Sequence, residues 1–98
     1  MPAYLISYDL HRVREYSALL KQLRDWSCHP MHKSTWLGVL KGPASAVRDI
    51  LKAHVDPDDS IAVIELKVGS EWALTAVNQQ DMRSGDWLAT NVTPRTKG

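Results

Sequence analysis

The 98-residue chain has little of several features that would assign a protein to a class. Its single cysteine, Cys28, excludes an intramolecular disulfide framework and favours a reducing compartment. The sequence indicates a small apolar packing residue there rather than a nucleophile. No apolar run approaches the roughly 18 residues of a membrane span, and no signal-peptide pattern opens the chain. We therefore expect one cytoplasmic domain without a membrane partner.

The chain also lacks a large net charge, because its formal value is only +1. That value is weak support for a nucleic-acid partner, although the distribution of charge is uneven. Residues 1–41 are mainly basic, whereas residues 49–71 are mainly acidic. This asymmetry is compatible with a local phosphate-binding patch or with an ordinary solvated surface.

The most informative stretch is Ala3–Leu10, which is aromatic and aliphatic until it ends in Asp9. Its composition predicts a strand, with Tyr4, Ile6 and Tyr8 on one face. Both faces are largely apolar at first, which is typical of a central strand. A carboxylate at the end of such a strand suits a hard cation or a proton-transfer site. Asp9 would alternatively cap the following helix, since aspartate is a favoured N-cap.

Apolar spacing and turn residues predict the remaining elements. They are a helix over about 13–26, two short strands within 31–40, a helix from Pro43 to near Val55, a strand over 61–66, a short helix over 86–91 and a frayed tail over 93–98.

Two polar clusters within these elements could bind metal. His29 and His32 are predicted on opposite faces of an extended segment, so zinc is not expected there. The acidic turn 56–59 could hold calcium in principle. It lacks the glycine and the distant glutamate of the helix-loop-helix calcium pattern, which favours a solvated loop.

The order strand, helix, strand, strand, helix, strand predicts an α+β, ferredoxin-like βαββαβ fold with a four-stranded antiparallel sheet. We expect residues 1–68 to form this core and residues 69–98 to be a C-terminal extension that packs on the core or on a dimer partner. Both helices lie on one sheet face in this fold, which leaves the other face uncovered within the subunit. Exposure of so much apolar surface predicts a homodimer packed through the open sheet faces.

Three segments carry a resemblance to a known family. Residues 3–10, Ala-Tyr-Leu-Ile-Ser-Tyr-Asp-Leu, resemble the opening strand of the small CRISPR-associated Cas2 proteins, which ends in a Tyr-Asp-aliphatic triplet. Residues 34–40 are similar to their middle hairpin, and residues 59–66 to their last core strand. The virulence-associated D toxins share this fold and have ribonuclease activity.

The resemblance implies a site at the dimer axis. Asp9 of each subunit would meet its twin and bind a divalent metal, Mg²⁺, whose water attacks a phosphodiester of RNA or DNA. Asp9 is thus the candidate catalytic and metal-binding residue. Arg12, Arg14 and Lys33 are the candidate nucleic-acid contacts.

Three functions remain open on these residues. The first is a metal-dependent nuclease, specifically an endoribonuclease, in a CRISPR or toxin–antitoxin context. The second is a non-catalytic dimeric scaffold or nucleic-acid-binding adaptor, since many members of the family act without catalysis. The third is a regulatory domain that binds a small ligand.

Overall fold

A computed structural model describes residues 1–11 and 16–94 of the chain. The strands and helices alternate in the expected order, with one further helix at the end. The elements are β1 (Ala3–Asp9), α1 (Ser17–Asp25), β2 (His29–His32), β3 (Thr35–Val39), α2 (Ala44–Lys52), β4 (Ser60–Leu66) and α3 (Gln79–Asn91).

The four strands form one antiparallel sheet in the order β2-β3-β1-β4. β1 lies in the interior and pairs with both β3 and β4. The crossover through α1 therefore encloses β3, and the crossover through α2 encloses β1. The α+β, ferredoxin-like fold predicted from the sequence is confirmed.

One face of the sheet, which we call the helix face, carries the main core beneath α1 and α2. Leu19 and Leu23 of α1 are four residues apart, as are Val47 and Leu51 of α2, and this spacing places apolar side chains on one side of a helix. They pack on the β1 side chains that were predicted to share a face. The fully or nearly buried members from β1 are Tyr4, Ile6 and Tyr8.

The end of α1 is fixed by backbone hydrogen bonds and a close contact. Ser27 has a positive φ of 57°, and the N–H groups of Ser27 and Cys28 return to carbonyls of the last helical turn. Cys28 is buried, and burial raises the pKa of its thiol to about 11, so it stays neutral. A Cβ at Gly38 would lie 2.5 Å from the Cys28 sulfur, which explains glycine at that position.

α3 begins earlier than the predicted helix over 86–91. The Asn78 side chain caps it by accepting a hydrogen bond from the backbone N–H of Asp81, 2.8 Å away. Asp81 in turn accepts from the N–H of Val77 at 3.1 Å. Ser84 and Gly85, which precede the helix predicted over 86–91, are instead buried in the middle of α3.

α3 lies on the second sheet face, which we call the α3 face. Leu88 and Val92 pack there on Ala3 and Leu37. The expectation that this face has no covering within the subunit is therefore wrong for part of it, because the C-terminal segment supplies an amphipathic helix.

A strip of the α3 face remains exposed beyond the helix. Leu5 and Ser7 of β1 lie opposite Ile64 and Ala62 of β4, so all four side chains point to this face. Ile64 is 54 % exposed, Ala62 is exposed, and Leu5 and Ser7 are half-buried. We call these four residues the open strip.

Candidate metal and nucleic-acid site

Asp9 is the last residue of β1 and lies directly beside Ser60 at the start of β4. Alternation along β1 places its side chain on the α3 face, at the end of the open strip. The side chain is exposed and makes no hydrogen bond or ion pair with the described residues. Asp9 does not cap α1, whose N-cap position is Tyr16. Its carboxylate is therefore accessible to a ligand.

Asp59 fixes the chain immediately after Asp9. Its Oδ1 accepts the backbone N–H of His11 at 2.8 Å, and its Oδ2 accepts the Tyr16 hydroxyl at 3.2 Å. The backbone N–H of Asp56 donates to the same Oδ2 at 2.9 Å. The Asp59 side chain has no exposed area, and these donors, with the His11 N–H foremost, lower the pKa of its carboxyl group. Asp59 thus joins the end of β1, the start of α1 and the loop before β4.

The acidic turn contains the only group of three or more possible metal-ligating side chains that the described ranges bring together. Carboxylate oxygens of Asp56, Asp58 and Asp59 lie within 4.8 Å of one another. Oxygen ligands of this kind suit Mg²⁺ and Ca²⁺. However, both oxygens of Asp59 already accept hydrogen bonds from the protein, which leaves Asp58 as the exposed acid of the turn.

Lys33 lies at the same end of the sheet as Asp9. The backbone N–H of Tyr8 donates to the Ser34 carbonyl at 3.0 Å, which brings the β2–β3 turn next to the end of β1. The Trp36 indole N–H donates to the Tyr8 hydroxyl at 3.2 Å, and that hydroxyl donates to the Lys33 carbonyl at 3.4 Å. Sequence reasoning assigned Tyr8 to the core but missed that its hydroxyl holds this turn.

Lys33 itself is exposed, so a cation and a carboxylate share this end of the sheet. The candidate contacts Arg12 and Arg14 lie outside the described residues.

His29 and His32 share a face, contrary to the prediction that they would lie on opposite faces. A register shift between Pro30 and His32 adds a residue to β2, and both histidines then point toward α3. His29 Nε2 lies 2.8 Å from the Ser84 hydroxyl, and His32 Nε2 lies 3.9 Å from Asp81 Oδ1.

These histidines connect α3 to β2 rather than forming a metal site. Burial, and then the nearby charge of Arg83, lower the pKa of His29. The Gln80 amide adds a hydrogen bond of 2.8 Å to the Pro30 carbonyl. Polar contacts therefore attach the first half of α3 to the sheet edge.

No helix within the described ranges is long and apolar enough to cross a membrane. A search of curated proteins finds no match. The family model for "CRISPR associated protein Cas2" matches residues 1–73, which include β1 to β4, Asp9, Lys33 and the acidic turn. The match covers about three quarters of the chain and ends before α3. The chain therefore belongs to the CRISPR associated protein Cas2 family.

Proposed function

We propose that two copies of this chain pair through the open strip and act as a divalent-metal-dependent nuclease on RNA or DNA, with Asp9 as the metal ligand. The observation that supports this most directly is the position of Asp9. Its accessible carboxylate ends a strand whose neighbouring apolar surface is exposed.

Pairing would remove that apolar surface from water. In a twofold-symmetric dimer the same patch serves both subunits, so the open strip of one copy would face the open strip of the other. Asp9 lies at the end of this strip, and pairing would carry the two Asp9 residues toward one seam. Two carboxylates near each other repel unless a cation or a shared proton lies between them.

The residues present fit a magnesium ion. Mg²⁺ is commonly held by one or two carboxylates with waters and phosphates completing its shell, and an exposed Asp9 from each copy supplies that number. When bound, the cation would supply Lewis-acid stabilisation of charge on the phosphoryl oxygens. Lys33 would hold a flanking phosphate, a role we also assign to Arg12 and Arg14. Asp59 would keep the segment after Asp9 in place.

The test is an Asp9→Asn variant, because asparagine preserves shape while removing the charge that holds the cation. We expect it to lose Mg²⁺-dependent cleavage of labelled RNA and DNA oligonucleotides and to keep the sedimentation coefficient of the parent protein. Asp58→Asn is the matched control, since it removes an exposed acid from the neighbouring turn. Unchanged cleavage by Asp9→Asn, or equal loss in both variants, would contradict the proposal.

A non-catalytic adaptor is the second candidate. Asp9 has no histidine or lysine within hydrogen-bond reach among the described residues, which favours binding over proton transfer at this site. An adaptor would bind a duplex without cutting it, and its affinity would fall steeply with salt. Lys33→Gln should then reduce the slope of log K against log salt by about one.

A further inference from the structure

A concave site lies at the end of the sheet opposite Asp9. β3 runs from Thr35, beside Ser7, to Val39, beside Ala3, and the cavity follows its end. It has a volume of about 430 Å³ and lies between the residues after β3, the first turns of α2 and the end of α1. This volume is in the range of small-molecule sites, about 300–1,000 Å³.

The walls of this cavity are mainly apolar and partly open to solvent. They include the Trp26 ring after α1, and Ala46, Val47 and Ile50 of α2. Ile50 is 47 % exposed, whereas Val47 and Leu51 of the same helix are buried. Water in such a cavity finds few polar partners, so an apolar ligand would replace it favourably.

The charge at the cavity has one sign. Lys41 is the only charged side chain among its lining residues, and it makes no ion pair with the described residues. The Trp26 indole N–H likewise donates no hydrogen bond to them. Lys41 and Trp26 both line the apolar cavity, and an exposed cation beside a spare N–H donor is complementary to an anion.

We propose that this cavity binds a small organic monocarboxylate, whose apolar body lies between Trp26 and α2 and whose carboxylate pairs with Lys41. This proposal does not depend on the nuclease assignment, because the cavity contains neither Asp9 nor Lys33.

Phenylacetate and its neutral analogue phenylacetamide are matched probes, since they share an aromatic body and differ in charge. Each is titrated into the ¹⁵N-labelled full chain and followed by two-dimensional NMR. We expect saturable shifts of the Trp26 indole N–H and of amides over 40–50, with none at Asp9 or Lys33. The acid should bind about two- to fivefold more tightly than the amide, as expected for an exposed ion pair.

Three variants test the assignment. Lys41→Gln should make the two affinities equal without changing that of the amide. Lys52→Gln, which removes an exposed lysine at the end of α2 and outside the lining, should preserve the preference for the acid. Ala46→Trp should fill the cavity and abolish both sets of shifts. The proposal is wrong if phenylacetate gives no saturable shift at its solubility limit, if its shifts lie elsewhere, or if Lys41→Gln retains the preference.

Discussion

Ile64→Lys is the sharpest test of pairing through the open strip. Ile64 is 54 % exposed in the single subunit, so nearly half of its side chain is already covered. Complete burial of an isoleucine contributes about 1.5–3 kcal/mol, and the exposed half would contribute about 0.8–1.6 kcal/mol per copy on pairing. A symmetric dimer buries two copies, which gives about 1.6–3.2 kcal/mol. Loss of this term alone would weaken self-association about 15- to 200-fold.

The lysine also brings a charge from each copy to the seam, so the calculated loss is a lower bound. The assay is sedimentation velocity over a concentration series, with the dissociation constant as the measured quantity. Ile50→Lys is the matched control, because Ile50 is exposed to a similar extent, 47 %, on the helix on the opposite side of the sheet.

Thermal unfolding of the two variants separates association from folding. Both substitutions remove an isoleucine that the subunit covers by about half, so each should lower subunit stability by a similar amount, about 0.7–1.6 kcal/mol. The reasoning is refuted if Ile64→Lys associates as tightly as the parent, if both variants weaken association equally, or if the parent protein is monomeric throughout the concentration series.

Three further predictions concern stability. Asp59→Asn should lower the melting temperature near neutral pH. Because the pKa of Asp59 is depressed in the folded state, the difference in melting temperature from the parent should persist above pH 3.8, the ordinary pKa, and shrink as the pH falls below it. A difference in circular dichroism melts that does not depend on pH would contradict this. Leu88→Ala should lower the free energy of unfolding in urea by about 2–5 kcal/mol, because Leu88 is buried against the sheet. An unchanged free energy of unfolding would mean that α3 does not pack there. Gly42→Ala should lower the free energy of unfolding by about 1–3 kcal/mol, because its Cβ would overlap the Tyr4 hydroxyl. The loss should be smaller in a Tyr4→Phe background, and an equal loss in both backgrounds would exclude that contact as the cause.

The strands with continuous apolar runs could be predicted from the sequence, whereas the edge strand could not. The sequence predicts the ends of β1 and β4 to within one residue, because both are apolar on two faces and end at turn residues. β2 begins at His29, two residues before the pair of strands predicted within 31–40, and it contains Pro30. An edge strand such as β2 tolerates proline, because the outer side of the strand has no neighbouring strand to accept the N–H that proline lacks.

The candidate site was only partly predictable. A strand that ends in Asp9 is visible in the sequence. Asp59, however, is one of three acids in a turn, and its spacing does not show that it accepts the backbone N–H of His11, 48 residues away. The shared face of His29 and His32 depends on a bulge that has no clear sequence signal. The start of α3 was detectable in principle, because Asn78 followed by Asp81 is a capping pattern.

α3 lies outside the residues that the family model matches, yet it determines which part of the sheet remains exposed. Its first half is held to β2 by the hydrogen bond from Gln80 to the Pro30 carbonyl and by the contact between His29 and Ser84, and its second half covers Ala3 and Leu37. A bare face would expose those apolar residues as well, and two copies could then pair over several parts of the sheet. With α3 in place, the exposed apolar side chains of this face are confined to the open strip beside Asp9. If two copies pair as proposed, the C-terminal helix would therefore direct their contact toward the end of the sheet where Asp9 lies.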